Sequence, residues 1–345
     1  MFDILNISHF RAFKNLSVKP LSRVNLVAGA NNIGKTGILE AVYLTAASIN
    51  QLQDIPSLFR HAQPAQPSNN YSVPVRDAED NFWSWLFYQK DTSKKWEISL
   101  VSDTAEKKCS IRGKGSMRGE HTLSTNITRE ITPSSAGASS RDIGNFIHLQ
   151  EKGQSLSVTP VNTRFATPAQ DAELVNQISV QNEEEELIKY LRIIEPRLKK
   201  LKYLKLPDHQ FPYVYADIGF GKGRDLIPAT QFGQGFLRML NLFATLMIKK
   251  TQILLIDEFE NGLQHDGLVP IWSALGEIAR NRDIQVFATT HSLENIKAAH
   301  EAFSGSQNYD LGLVKLRKDK NNDIAAFVLG QEELGTAIET NVEIR

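Results

Sequence analysis

One short stretch near the N-terminus constrains the fold more than any other part of the chain. It reads Gly29-Ala30-Asn31-Asn32-Ile33-Gly34-Lys35-Thr36 and fits G-x-x-x-x-G-K-[ST], the pattern of a phosphate-cradling loop. Such a loop needs a buried strand before it and a helix after it, because backbone N–H groups at a helix N-terminus then face the phosphates. The mostly apolar residues 23–28 predict that strand, and residues 37–48 predict that helix. The sequence therefore predicts a site for a nucleoside triphosphate.

The residues of this loop have predicted parts in binding ATP. The Lys35 ammonium is expected to reach the β- and γ-phosphates, and the Thr36 hydroxyl is expected to bind Mg²⁺. The predicted nucleotide-binding residues of the stretch are Gly29, Asn31, Asn32, Ile33, Gly34, Lys35, Thr36 and Gly37. Arg11 precedes the loop, and two interpretations of it stay open: it stacks on a base or touches a phosphate, or it is a solvated turn arginine.

Acidic and imidazole side chains end two later predicted strands. An apolar run at residues 253–256 ends in Asp257, a predicted Mg²⁺ ligand, and Glu258, which is placed to polarise an attacking water. His291 ends the next predicted strand, and the carboxyl ends of parallel strands share one sheet edge. We therefore predict that Glu258, His291 and Lys35 converge as the catalytic residues. Without the loop, carboxylates that merely end a strand and a structural histidine would be the simpler interpretations.

The charge balance and the cysteine count bound the class of protein. Lys+Arg and Asp+Glu both number 39, so the net charge of the 345 residues is zero. This argues against a protein held to nucleic acid by bulk positive charge, although a local basic patch stays open. The single cysteine, Cys109, excludes an internal disulfide and suits a reducing cytoplasm. No apolar run approaches the roughly 20 residues of a membrane span, so we expect a soluble, cytoplasmic protein without a membrane partner.

The chain divides into three predicted segments. Residues 1–49 form the N-terminal half of an ATPase head, 50–212 an insertion lobe, and 213–345 the C-terminal half of the head. The middle segment contains two loops by composition, at 63–70 and 133–140, between short predicted strands. Strands alternate with helices in the last segment, which indicates a parallel sheet covered on both faces. The predicted fold class is α/β, a P-loop head with a mixed sheet and a β-rich, helical insertion.

Residues 171–206 predict a helical segment at the end of this insertion. Apolar residues at steps of four and three would form a single face: Leu187, Leu191, Ile194, Leu198 and Leu201. Acidic residues come early and basic residues late in the segment, which complements a helix dipole. A second interpretation, in which the late basic residues contact DNA, stays open.

The order of these motifs resembles that of the ABC-type ATPases, in the soluble branch that includes OLD, RecF and SMC proteins. The similarity rests on a loop of form G-x-N-x-x-G-K-T, a glycine motif at the head of a helix, a strand that ends in Asp257 and Glu258, and the run Thr290-His291-Ser292. It covers residues 1–48 and 211–345 well. Within this branch the chain is similar to AAA-type ATPases that stand alone or beside a separately encoded effector, many of them in bacterial defence loci.

The resemblance implies further site residues. Gly233, Gln234 and Gly235 are identified with the signature motif, which in the family binds the γ-phosphate of the nucleotide held by the other subunit. Gly233 stands where a serine is common. Gln150 is identified with the Q-loop residue, which contacts the metal in the family. Two copies of the chain are then expected to sandwich two ATP molecules, as a dimer or as a larger oligomer built of dimers.

The resulting functional prediction is an Mg²⁺-dependent ATPase that acts as a conformational switch. It would control a separately encoded effector or nuclease, and its setting would be bacterial anti-phage defence. The stretch after Ser292 is too short for the nuclease domain of OLD-like relatives, so we expect no nuclease activity in the chain itself. Two alternatives stay open: a RecF- or SMC-like ATPase that acts on DNA, and a nucleotide-gated scaffold with negligible turnover.

Overall fold

The computed structural model describes residues 1–47, 86–91, 93–103, 106–112, 120–124, 128–131, 156–161, 168–205, 207, 211–219, 226–248 and 250–340. The strands are β1 (Ile4–Phe10), β2 (Phe13–Val18), β3 (Val24–Ala28), β4 (Lys95–Val101), β5 (Glu106–Arg112), β6 (Glu120–Ser124), β7 (Thr128–Ile131), β8 (Val158–Val161), β9 (Lys200–Leu204), β10 (Tyr213–Asp217), β11 (Ile227–Pro228), β12 (Ile253–Ile256), β13 (Gln285–Thr289), β14 (Leu311–Lys318) and β15 (Ile324–Leu329). The helices are α1 (Lys35–Ala46), α2 (Pro168–Gln181), α3 (Glu184–Leu191), α4 (Gln234–Ile248), α5 (His265–Asn281), α6 (Leu293–Ser304) and α7 (Gln331–Glu339).

The central sheet has the strand order β15-β14-β3-β13-β12-β8. All its neighbours run parallel except β14 and β15, which form an antiparallel pair. All five residues of β3 are buried: Val24, Leu26 and Ala28 belong to one hydrophobic cluster, and Val27 belongs to a second cluster on the other face of the sheet. The predicted α/β fold with a mixed sheet is therefore confirmed, because both faces of its parallel part are covered.

A second sheet packs against the first through α1. Its strand order is β2-β1-β4-β5-β6-β7, with every pair antiparallel. Residues 37–46 of α1 are all buried, and the helix contacts β4 and β5 on one side and β12 and β13 on the other. A helix that is buried all round lies between two layers rather than at a surface. The N-terminus of α1, and with it the predicted phosphate loop, is thereby fixed between the sheets.

A third sheet corrects the prediction of a helical segment at 171–206. Helices α2 and α3 account for its first part, but helix ends at Leu191, and residues 200–204 form β9, which pairs antiparallel with β10. Pro196 lies between them, where it removes a backbone donor that a continued helix needs. The late basic residues therefore lie beyond the helix, so the interpretation that they complement a helix dipole is wrong, and the interpretation that they contact DNA stays open. Pairing with β10 outweighs a leucine spacing that also fits a helix.

The middle segment of the chain shares sheets with the ATPase head. Strand β4 pairs with β1, and β8 pairs with β12. The division into segments 1–49, 50–212 and 213–345 stays a prediction. Over the part of the chain that the structure describes, no helix has the length and apolar character needed to cross a membrane.

A buried carboxyl group joins the middle segment to α4. Asp171 in the first turn of α2 is 3% exposed, and Asn241 of α4 donates a hydrogen bond to it at 3.0 Å. Burial raises the pKa of Asp171 to about 6, although the hydrogen bond from Asn241 acts against this rise. Folding therefore favours the protonated carboxyl, because the usual pKa of an aspartate is near 4.

We predict that Asp171 makes the protein less stable as the pH rises through 6. Its contribution to the free energy of unfolding is fully present below about pH 4 and is lost above about pH 6, a difference of roughly 3 kcal/mol. Thermal melts between pH 4 and pH 8 should show Asp171→Asn melting above wild type at pH 8, and the gap should close near pH 4. Glu173→Gln, an exposed change on the same helix, is the matched control. Equal gaps at both pH values would contradict this assignment.

Candidate functional site

The phosphate loop connects β3 to α1 in a conformation that requires its glycines. Gly29 and Gly34 have φ angles of +152° and +98°, and Asn32 lies in the left-handed region at +61°. A Cβ at Gly29 would lie 2.8 Å from the Leu316 carbonyl oxygen, and one at Gly34 would lie 3.0 Å from the Phe13 ring. The close packing therefore forbids side chains at both glycines. Ile33 contributes a buried side chain to the core rather than a polar contact.

Lys35 and Thr36 open α1 and face the cleft. The Lys35 ammonium donates to the carbonyl oxygens of Gly29 at 2.7 Å and Ala30 at 3.0 Å, so it folds back over the loop. Burial lowers its pKa, although the charges of Glu260, Asp257 and Glu258 act in the opposite direction. A phosphate group would offer this ammonium better acceptors than the two carbonyls, because both partners would then carry charge.

The Thr289 hydroxyl links the two acidic residues that follow β12. It donates to Asp257 Oδ1 at 2.6 Å and accepts from the Glu258 amide at 2.8 Å. Thr36 Oγ1 lies 3.2 and 3.3 Å from the two Asp257 oxygens. Burial raises the pKa of Asp257, and the hydrogen bond from Thr289 partly offsets this. Hydroxyl and carboxylate oxygens side by side are the hard ligands that Mg²⁺ prefers, so Thr36 and Asp257 fit the predicted metal.

Glu260 is a site residue that the sequence reasoning missed. Its Oε1 accepts from the His291 amide at 2.9 Å, the Ser292 amide at 3.1 Å and His291 Nδ1 at 2.5 Å. Its Oε2 accepts from Asn295 Nδ2 at 3.3 Å, and the carboxylate is 11% exposed. With Nδ1 held by a carboxylate, His291 presents Nε2 as its remaining ring nitrogen. The signal in the sequence was a further acidic residue, two positions after Glu258.

One open cleft of about 740 Å³ gathers most of the predicted residues. Its lining comprises Arg11, Ala12, Asn31, Asn32, Gly34, Lys35, Thr36, Gly37, Phe87, Gln89, Lys90, Glu258 and His291. The Arg11 guanidinium is 6% exposed and donates twice to the Glu40 carboxylate of α1, at 2.8 and 3.0 Å. It is therefore a buried ion-paired arginine, which corrects the interpretation of a solvated turn arginine, and its contact with nucleotide stays a prediction.

The three signature residues lie away from this cleft at the start of α4. Gly233 has a φ of +84°, and a Cβ there would meet nothing within 4 Å among the described atoms. Gly235 packs tightly, because a Cβ there would collide with the Gly262 carbonyl oxygen. None of Gly233, Gln234 and Gly235 is among the described residues that line the cleft. Gln150 lies outside the described residues, so its metal contact stays a prediction.

Comparison with known proteins agrees with this architecture. A family described as "AAA domain, putative AbiEii toxin, Type IV TA system" matches residues 24–296. A Helicobacter pylori protein named ATP/GTP phosphatase is 23% identical over an alignment of 344 positions. The alignment covers 86% of this chain and 87% of that protein. The DNA replication and repair protein RecF of Idiomarina loihiensis is 45% identical over 42 residues, 12% of each chain.

Solved SMC head structures share the fold. The crystal structure of an SMC head bound to the C-terminal winged-helix domain of ScpA superposes with a TM-score of 0.55 at 14% identity, over 97% of this chain and 99% of that chain. An SMC head with an extended coiled coil, bound to the C-terminal domain of ScpA from Pyrococcus furiosus, gives 0.51 at 11% identity, over 99% of both chains. Identities this low support the fold alone.

We predict that Lys35→Ala removes ATP binding, because backbone dipoles alone neutralise the phosphate charge poorly. ATP at 100 times its dissociation constant should stabilise wild type by about 2.7 kcal/mol, which thermal melts with and without ATP would detect. Lys189→Ala, at an exposed lysine of α3, should keep the full ATP-dependent shift. A Lys35→Ala protein that keeps this shift would show that the loop is not the nucleotide site.

We predict that Glu260→Ala slows ATP turnover by about 100-fold, because His291 loses the carboxylate that fixes its ring. Glu260→Gln keeps an oxygen acceptor and should retain part of the activity, while ATP binding should persist in both variants. Steady-state phosphate release and ATP-dependent melting would measure the two effects. Glu301→Ala, at an exposed glutamate of α6, serves as the control. Wild-type turnover in Glu260→Ala would refute the role of Glu260 in orienting His291.

Proposed function

Because the chain belongs to the family described as "AAA domain, putative AbiEii toxin, Type IV TA system" and is an ABC-type P-loop ATPase of the SMC/RecF-like class, we propose that its ATP hydrolysis switches a separate effector protein. The switch would be a dimer, or a larger oligomer built of dimers, that encloses two ATP molecules between its copies. Binding of ATP would hold the copies together, and hydrolysis would release them.

The observation that carries this proposal is the position of the glycine turn at the head of α4. The Lys35 cleft and the exposed Gly233 turn belong to one chain, yet the described lining of the cleft contains none of the turn residues. A helix N-terminus with free backbone N–H groups favours an anion. A second copy, placed with its turn over this cleft, would supply those groups to the γ-phosphate. Gly233, Gln234 and Gly235 would thus complete the site of the partner copy.

The predicted catalytic and metal-binding residues at the cleft have separate proposed parts in hydrolysis. Lys35 neutralises phosphate charge, and Glu258 polarises the attacking water. His291, oriented by Glu260, contacts the γ-phosphate or that water through Nε2. Mg²⁺, held by Thr36 and Asp257, would neutralise charge that develops on the phosphate oxygens.

The separate effector and the cellular setting rest on the family and on the related structures. The family description names an AbiEii toxin and a toxin–antitoxin system, which supports a role in bacterial defence against phages. The SMC heads of similar fold are described as bound to domains of another protein, which supports control through a bound partner. We place the protein in the cytoplasm, where ATP is available and a single cysteine stays reduced.

A second candidate function is action on DNA in repair or recombination. The local match to RecF favours it, and so do the exposed lysines Lys200 and Lys202 of β9. DNA binding that weakens steeply with salt would support this candidate, because released counterions drive such binding.

Binding of ATP without phosphate release would instead support a nucleotide-gated scaffold.

We predict that Glu258→Gln binds ATP without hydrolysing it and accumulates as an ATP-dependent dimer or dimer-based assembly. The amide keeps the shape of the side chain but lacks the charge that polarises water. Light scattering after size exclusion, with and without ATP and Mg²⁺, measures the assembly, and phosphate release measures turnover. The double variant Lys35→Ala, Glu258→Gln is the control that should stay insensitive to ATP. Unchanged turnover in Glu258→Gln would refute the role of the carboxylate, and a mass unaffected by ATP would count against the sandwich.

A further inference from the structure

A buried arginine of α4 holds the turn that carries Glu258. Arg238 is 7% exposed, and its guanidinium donates to three backbone carbonyls: Asn261 at 2.6 Å, Asp257 at 3.0 Å and Glu258 at 2.9 Å. Removing a charge from water is costly unless polar partners replace the water, and these three carbonyls are such partners. The arginine is thus committed to the turn that carries Glu258.

The surroundings of Arg238 match its charge. Burial lowers the pKa of its guanidinium, whereas the charges of Glu260, Glu258 and Asp257 act in the opposite direction. The arginine thus lies beneath the acidic face of the cleft and partly offsets the repulsion among its three carboxylates. Its hydrogen bonds, however, go to the main chain of the turn, so it fixes the backbone from which those carboxylates project.

The backbone at Glu258 needs such support. Glu258 has a φ of +47°, in the left-handed region that is strained for a residue with a side chain. Its amide is held by Thr289 Oγ1 at 2.8 Å, and its carbonyl accepts from Arg238 at 2.9 Å and from the Asn261 amide at 3.1 Å. Asn261 also donates to the Glu258 carboxylate, and Arg238 holds the Asn261 carbonyl in turn. Loss of Arg238 would therefore loosen both Glu258 and the residue that holds its carboxylate.

The same helix holds the turn at a second point. Gly235, three residues before Arg238 and therefore on the same helical face, packs against the Gly262 carbonyl so closely that a Cβ would collide with it. Helix α4 thus presents the exposed turn at Gly233 at its end and grips residues 257–262 along its side. A displacement of the end of α4 would therefore disturb the turn that carries Glu258.

We propose that Arg238 is a positioning residue that aligns Glu258 and makes this alignment depend on the glycine turn at the head of α4. The proposal rests on the proposed role of Glu258 in activating water. Contact of the Gly233 turn with the nucleotide of a partner copy would then change the rate of hydrolysis in the chain's own cleft. Arg238 itself is not among the described residues that line the cleft.

The test compares Arg238→Ala and Arg238→Lys with wild type in turnover, ATP affinity and melting temperature. Misalignment of about 1 Å can cost about 100-fold in rate, so the turnover of Arg238→Ala should fall by about that factor while the dissociation constant for ATP stays unchanged. Lysine can reach part of the carbonyl set and should recover part of the rate. Guanidinium ion, at a concentration that leaves wild type folded and active, should also raise the turnover of Arg238→Ala, and tetramethylammonium should not.

Arg282 provides a matched control. It donates to the carbonyls of Leu246 at 3.2 Å and Met247 at 2.8 Å, at the other end of the same helix. Arg282→Ala should lower the melting temperature and keep wild-type turnover per folded molecule. A purely structural Arg238 would behave in the same way.

The outcomes separate this inference from the proposal it rests on. Full turnover in Arg238→Ala beside an inactive Glu258→Gln overturns the positioning role alone, and full turnover in both variants overturns the role of Glu258 as well. Loss of ATP binding in step with turnover also overturns the inference, because Arg238 would then maintain the whole site. Where Arg238→Ala does not fold, Arg238→Lys decides: reduced turnover at unchanged affinity supports the role, and full turnover overturns it.

Discussion

The site depends on the parallel register of β3, β13 and β12. The Thr290 amide donates to the Val27 carbonyl at 2.9 Å, so the end of β13 lies beside the start of the phosphate loop. Thr289 then lies close enough to Asp257, at the end of β12, for one hydroxyl to serve both acidic residues. A slip of one residue would turn every side chain to the opposite face of the sheet. The chemistry of the cleft therefore depends on the pairing of these strands, because the pairing sets where the individual side chains lie.

Much of this arrangement could be predicted from the sequence because short local patterns determine it. The phosphate loop, the strand before Asp257 and the strand before His291 each combine an apolar run with polar residues at fixed spacing. Topology then brings their ends together without further information, since parallel strands place the same ends at the same edge. The glycines at 29 and 34 were likewise foreseeable, and the structure adds which neighbours exclude a Cβ.

The remaining features depend on packing between distant segments, which no local pattern encodes. The pairing of Arg11 with Glu40 needs the turn after β1 to meet α1, and the grip of Arg238 needs α4 to lie against the turn after β12. In the sequence, Glu260 is only one more acidic residue in an acidic stretch. Its role follows from its contact with His291, which only the fold brings about. In residues 200–204 the leucine spacing fits a helix, and only the partner strand decides otherwise.

The central position of β3 also affects how the chain folds during synthesis. Asn25 of β3 bonds to the carbonyl of Val286 in β13, 261 residues later in the chain. At about 5–20 residues per second, the ribosome needs roughly 13–50 s to deliver the strand that β3 must join. Until then β3, apolar at four of its five positions, and the side of α1 that contacts β12 and β13 have no final partner. The newborn chain thus carries an unfinished sheet through most of translation, a state in which chaperones would be expected to bind it.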